Sequence, residues 1–123
     1  MSAVVIPPEE WKEFLEAFSA RHRGWLVRIE IHDVQTEEDV GSQYRPLHSA
    51  ELDTEDPNNL RINVTVDSDH KLLVKHILFR PCRLTLQLAA GGADESLNIQ
   101  SLNTSTTIRF RAAVLPDVVD GIA

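Results

Sequence analysis

The chain of 123 residues contains a single cysteine, Cys82. No internal disulfide can form, and a zinc site built on several thiolates is excluded. A reducing cytoplasm is the compartment that fits best. Long apolar runs are also missing: Ala3 to Ile6 is short, and Lys71 to Phe79 is interrupted by charge. Both fall far below the roughly 18 residues needed to cross a bilayer as a helix, so no membrane span is expected. Met1 to Ile6 runs directly into Pro7, Pro8, Glu9 and Glu10, which is not the basic-then-apolar order of a secretory leader. Cations are scarce, and the net charge of -7 disfavours general attraction to nucleic acid or anionic lipid. The catalytic fingerprints are absent too: there is no P-loop, dinucleotide-binding glycine pattern, His-Glu-x-x-His run or serine elbow.

What is present reads as one folded domain over residues 1–123, with ordinary apolar and charged fractions. Trp11, Phe14, Leu15 and Phe18 recur at helical spacing, with Glu9, Glu10, Lys12, Glu13 and Glu16 between them, which predicts an N-terminal amphipathic helix. Pro8 and the two glutamates suit its start; Arg21, His22 and Arg23 suit its end, and Gly24 stops it. At about 1.5–3 kcal/mol per buried side chain, the four apolar residues are worth on the order of 6–12 kcal/mol once docked.

After Gly24 the period changes to two. Trp25, Val27, Ile29 and Ile31 alternate with Leu26, Arg28, Glu30 and His32. The same pattern recurs at Ile62–Val66, Leu84–Leu88, Leu97–Ile99 and Ile108–Phe110, and a shorter strand is expected over Pro46 to Leu52. Clean alternation belongs to antiparallel strands with one wet face. About seven such strands, joined as a meander through turns at Gln35–Gln43, Asp53–Asn59, Asp67–His70 and Ala90–Asp94, predict a mainly β (α+β) domain. Its sheet curls into a roll or partly open barrel, and Pro116 opens a short C-terminal helical turn. Lys71 to Phe79 departs from the rule by being apolar on both faces, which requires cover on both, from the helix or from a second copy of the chain. Of Lys75 and His76, the imidazole is the cheaper to bury, so His76 is expected to face inward.

Several residues carry candidate chemistry. An inward His76 is a potential base or ligand hook, although a satisfied core histidine is the commoner case. Cys82 alternates with Leu84 and Leu86, which favours a buried, inert thiol. Asp67, Asp69 and His70 form an acidic turn that lacks the glycine and distal glutamate of a calcium loop. Arg28, Arg61, Arg83, Arg109 and Arg111 fall on polar strand faces; they would bind an anion if gathered, or pair with Glu30 and its polar neighbours if not. Leu73, Ile77 and Phe79 form the apolar excess from which an interface would be built.

Trp11 to Phe18, the run His22-Arg23-Gly24-Trp25-Leu26-Val27, Ile108 to Arg111 and the ending Leu115 to Ala123 together resemble an uncharacterised family of small bacterial proteins, a domain of unknown function. The resemblance implies a bacterial, cytoplasmic protein and supplies no activity or catalytic set. The expected function is a non-enzymatic interaction or scaffold module, homodimeric or bound to another protein, without cofactor or metal. The alternative is a small-molecule protein for anionic ligands, or a minor enzyme, with its pocket near His76.

Overall fold

The computed structural model describes residues 2–33, 38–41, 43–67, 72–89, 92, 94–102 and 104–110. Strand β1 (Ser2–Ile6) and a 3₁₀ turn (Pro8–Glu10) lead into helix α1 (Trp11–His22). Eight antiparallel strands follow: β2 (Leu26–Asp33), β3 (Glu38–Gly41), β4 (Arg45–Asp53), β5 (Arg61–Asp67), β6 (Leu73–Phe79), β7 (Arg83–Leu88), β8 (Asp94–Gln100) and β9 (Thr104–Phe110). They join β1 in one sheet of order β1-β7-β8-β9-β2-β4-β5-β6, with β3 also on β2, and the sheet stays open between its terminal strands.

The alternating residues lie where the period placed them. Val27, Ile29, Ile62, Val64, Val66, Leu84, Leu86, Leu97, Ile99, Ile108 and Phe110 form one buried cluster with Trp11, Leu15 and Phe18 of α1. The helix needs no side-chain cap at its start. The Trp11 indole donates instead to the Ile6 carbonyl at 2.8 Å, tying α1 to β1. Gly24 takes φ +87 at the exit, where its N–H reaches the Leu47 carbonyl at 2.8 Å, so the helix end is joined to β4.

Two meanders, β4-β5-β6 and β7-β8-β9, meet through β2, whose full length pairs with β9. β4 pairs with β2 only at Leu26↔Pro46 and Val27↔Arg45. Beyond that point its register with β5 shifts between Leu47 and Ser49, a bulge that bends the strand away from β2 and lets the sheet roll. The backbone of Ala50 would then lack a partner. Ser19 of α1 supplies one: its hydroxyl donates to the Ala50 carbonyl and accepts the Ala50 N–H, both at 2.8 Å.

Four expectations need correction. The segment Gln35–Gln43, read as a connection, contains β3, which exists by pairing with the far half of β2. The meander is interrupted between β6 and β7, which lie at opposite sides of the sheet order. Cys82 precedes β7 in the turn, outside its alternation, and is exposed. β6 is not covered on both faces: α1 packs on β4 instead, and the outer face of β6 is open. The helical turn expected at Pro116, the Asp69–His70 pair and Arg111 lie outside the described residues.

Candidate functional site

β6 ends the sheet and, among the described residues, pairs on one side only, with β5. Strand pairing places Val74, His76 and Leu78 opposite Val66, Val64 and Ile62 on the core side, and Leu73, Lys75, Ile77 and Phe79 on the other. On that outer face Leu73, Ile77 and Phe79 are 56, 43 and 61 % exposed. A row of backbone N–H and C=O groups without a strand partner among the described residues thus coincides with three large apolar side chains. That combination invites strand addition.

His76 faces the core, half-buried, and burial holds its imidazole below the ordinary histidine range, so it is uncharged at neutral pH. It does not line either cleft next to Arg80.

The arginines do not assemble into one anion site. Arg28 and Arg109 are cross-strand neighbours, but Glu30 lies between them, 3.7 Å from the Arg28 Nε and 3.2 Å from the Arg109 Nε. Arg109 also borders a shallow polar cleft lined by Glu95, Ser96 and Asn98. Arg61 is drawn to Asp53 at 2.9 Å. The Glu55 N–H, and after it the Arg61 charge, keep the Asp53 carboxyl below its usual range. Arg83 is exposed at the start of β7, opposite Gln100.

Another histidine is more tightly held than its sequence position indicated. His22, expected only as a cation at the helix end, is 1 % exposed, with its ring centroid 4.5 Å from Phe18, 4.7 Å from Trp25 and 4.5 Å from Phe110. Its Nδ1 lies 2.9 Å from the Phe18 carbonyl and its Nε2 3.0 Å from an Asp94 carboxylate oxygen that Arg21 also reaches at 2.9 Å. Burial pulls this imidazole below its ordinary range, against the upward pull of the Phe18 carbonyl and the Asp94 carboxylate. With its ring sealed from solvent, His22 fastens the end of α1 to β8 and offers no face to a substrate. The signal was present in the sequence: position 22 continues the buried stripe of Trp11, Leu15 and Phe18. Among the described residues no three His, Cys, Asp or Glu side chains converge as metal ligands. No helix among them is long and apolar enough to cross a membrane.

At the end of the roll away from α1, a cleft of about 480 Å³ opens among Ile31, Leu78, Phe79, Arg80, Ser101 and Thr106. The far ends of β2, β6 and β9 border it. In comparisons with known proteins, a family model described as a family of unknown function (DUF5335) matches residues 2–118. No curated protein and no solved structure matches.

Proposed function

The chain belongs to a family of unknown function, DUF5335, so its role has to be argued from its own surface, and we propose that it is a non-enzymatic interaction module that pairs with a second copy of itself through β6. The observation that carries this reading is the coincidence of a strand edge that has no partner among the described residues with Leu73, Ile77 and Phe79 exposed on that strand.

The strand's own sequence selects the register. A two-fold axis perpendicular to the sheet makes each β6 residue face a partner residue on the same side of the sheet. Centring the axis on Lys75 sets two ammonium groups opposite each other, which is unfavourable. Centring it on His76 pairs the whole strand, with Leu73 against Phe79, Val74 against Leu78 and Lys75 against Ile77. No like charges then meet at neutral pH, because the two facing imidazoles are uncharged. Lys75 thereby disfavours the competing register, the usual role of a lysine on an edge strand.

Sedimentation over a range of concentrations tests the pairing. The native chain is expected to form dimers, and Leu73→Glu with Ile77→Glu to sediment as a monomer. The register has its own test. In a Cys82→Ser background, His76→Cys is expected to form an intermolecular disulfide, because facing residues of an antiparallel pair lie roughly 4.5–5.5 Å apart at Cα. Lys75→Cys, which faces Ile77, is expected to form none. A native chain that remains monomeric at the highest concentration removes the proposal.

A further inference from the structure

On the outer face of the sheet Gln87 of β7, Ser96 of β8 and Arg109 of β9 stand side by side in register, and the next row holds Thr85, Asn98 and Thr107. Ser96 is the shortest side chain of its row, so the surface sinks between its long neighbours into a cleft of about 390 Å³. Glu95 reaches the same cleft through a bulge. Gln87 pairs with Ser96 and Leu88 with Asp94, which leaves Glu95 as the extra residue of β8. By strand parity it would share the core side with Leu97 and Ile99, and the bulge re-aims it.

The two charged walls of this cleft do not neutralise each other. Arg109 is held by Glu30 through its Nε at 3.2 Å, which leaves its terminal amino groups available on a side chain 42 % exposed. Glu95 makes no ion pair with another described residue. Its Oε1 is buried without a partner, so Oε2 is the oxygen left to receive a donor. Opposite unit charges attract by about 1 kcal/mol at 4 Å even in water, yet Glu30 draws Arg109 toward β2 and the bulge holds Glu95 on β8. Between them Asn98 organises the hydroxyls. Its amide donates to the Ser105 Oγ at 2.9 Å and to the Thr107 Oγ1 at 3.0 Å, so each hydroxyl keeps its own proton to donate outward.

Opposite charges that stay unpaired across a polar hollow, with hydroxyl donors between them, complement a molecule that carries both charges itself. An anion alone would meet Glu30 and Glu95, and a cation alone would meet Arg28 and Arg109. Every residue lining the cleft is polar, so nothing there shelters a large apolar side chain. We propose that this cleft binds a small polar α-amino acid as its zwitterion, with Arg109 and Thr107 holding the carboxylate and Glu95 the ammonium. The site is independent of pairing through β6.

The test follows the backbone amide signals of the full chain by NMR during titration with four probes. These are L-serine, glycerate, in which a hydroxyl replaces the ammonium, ethanolamine, which lacks the carboxylate, and L-leucine. L-serine is expected to shift the amides of Ser96, Asn98 and Arg109 saturably, and to bind at least tenfold more tightly than glycerate or ethanolamine and at least threefold more tightly than L-leucine. Glu95→Gln, which keeps the shape of the side chain, is expected to weaken L-serine at least tenfold without weakening glycerate. Arg109→Lys keeps a cation for Glu30 but removes the planar fork that grips a carboxylate, and is expected to weaken L-serine at least threefold. Ser96→Gln fills the hollow and is expected to abolish L-serine binding while the amide spectrum stays that of the folded protein. Absence of saturable shifts with L-serine, binding of any other probe as tight as that of L-serine, or undiminished L-serine affinity in Glu95→Gln would overturn the proposal.

Discussion

Replacing Ser19 by alanine deletes one hydroxyl from the half-buried flank of α1 that meets β4, and it should be among the more damaging single changes in the helix. The hydroxyl is bonded to both the N–H and the carbonyl of Ala50, which is completely buried. Without it two backbone groups lose their partner where the bulge has already separated β4 from β2. Each stranded group costs about 1–3 kcal/mol. Better helix propensity returns about 0.5 kcal/mol, and partial access of water at the half-buried Ser19 lowers the loss further. The net expectation is about 2–3 kcal/mol. For a domain of this length, with unfolding entropy near ~2.1 cal/mol/K per residue, that corresponds to a fall in Tm of roughly 8–12 °C. Calorimetry on Ser19→Ala beside Lys12→Ala, an exposed control on the same helix, reads it directly. A fall no larger than that of the control would mean that Ala50 finds other partners, and the account of how β4 is held would be wrong.

Gly24→Ala is expected to lower stability by about 1–2 kcal/mol by the left-handed penalty alone, since a Cβ there meets no atom within 4 Å; an unchanged urea midpoint would contradict this. Acidification should destabilise the fold. The His22 and His76 imidazoles both titrate below the ordinary value of 6.5, so the unfolded chain takes up protons first. Stability is therefore complete above that pH and is lost progressively as pH falls toward each folded value. His76→Leu should flatten the decline between about pH 7 and about pH 5 in urea titrations, and an unaltered slope would exclude His76 as a contributor. The same acidification should dissociate the β6 pair, because two facing imidazolium groups repel; a dimer that persists at about pH 5 would count against the register centred on His76.

Much of this architecture was legible from periodicity. The helical stripe from Trp11 to Phe18 and the two-residue alternation of β2, β5, β7, β8 and β9 announced which side chains would be buried, because burial of a one-sided element leaves its spacing in the sequence. β1 carried no such mark. Four of its five residues are exposed, and it is a strand because β7 offers it an edge. β3 likewise depends on β2. The apolar character of Lys71 to Phe79 was visible, but which element would cover it was not: that depended on where α1 docked, and the Ser19–Ala50 contact committed the helix to β4.

The candidate sites divide along the same line. The sequence by itself determined that His76 is cheaper to bury than Lys75 and that Leu73, Ile77 and Phe79 form an apolar face, since both follow from residue type and the parity of positions along a strand. Only the tertiary structure decided that this face stays open at the edge of the sheet, that Glu30 divides Arg28 from Arg109, and that His22 is sealed among three aromatic rings. The physical reason is the distance along the chain. These relations join residues far apart in sequence, and local pattern has no term for the closure that brings them together.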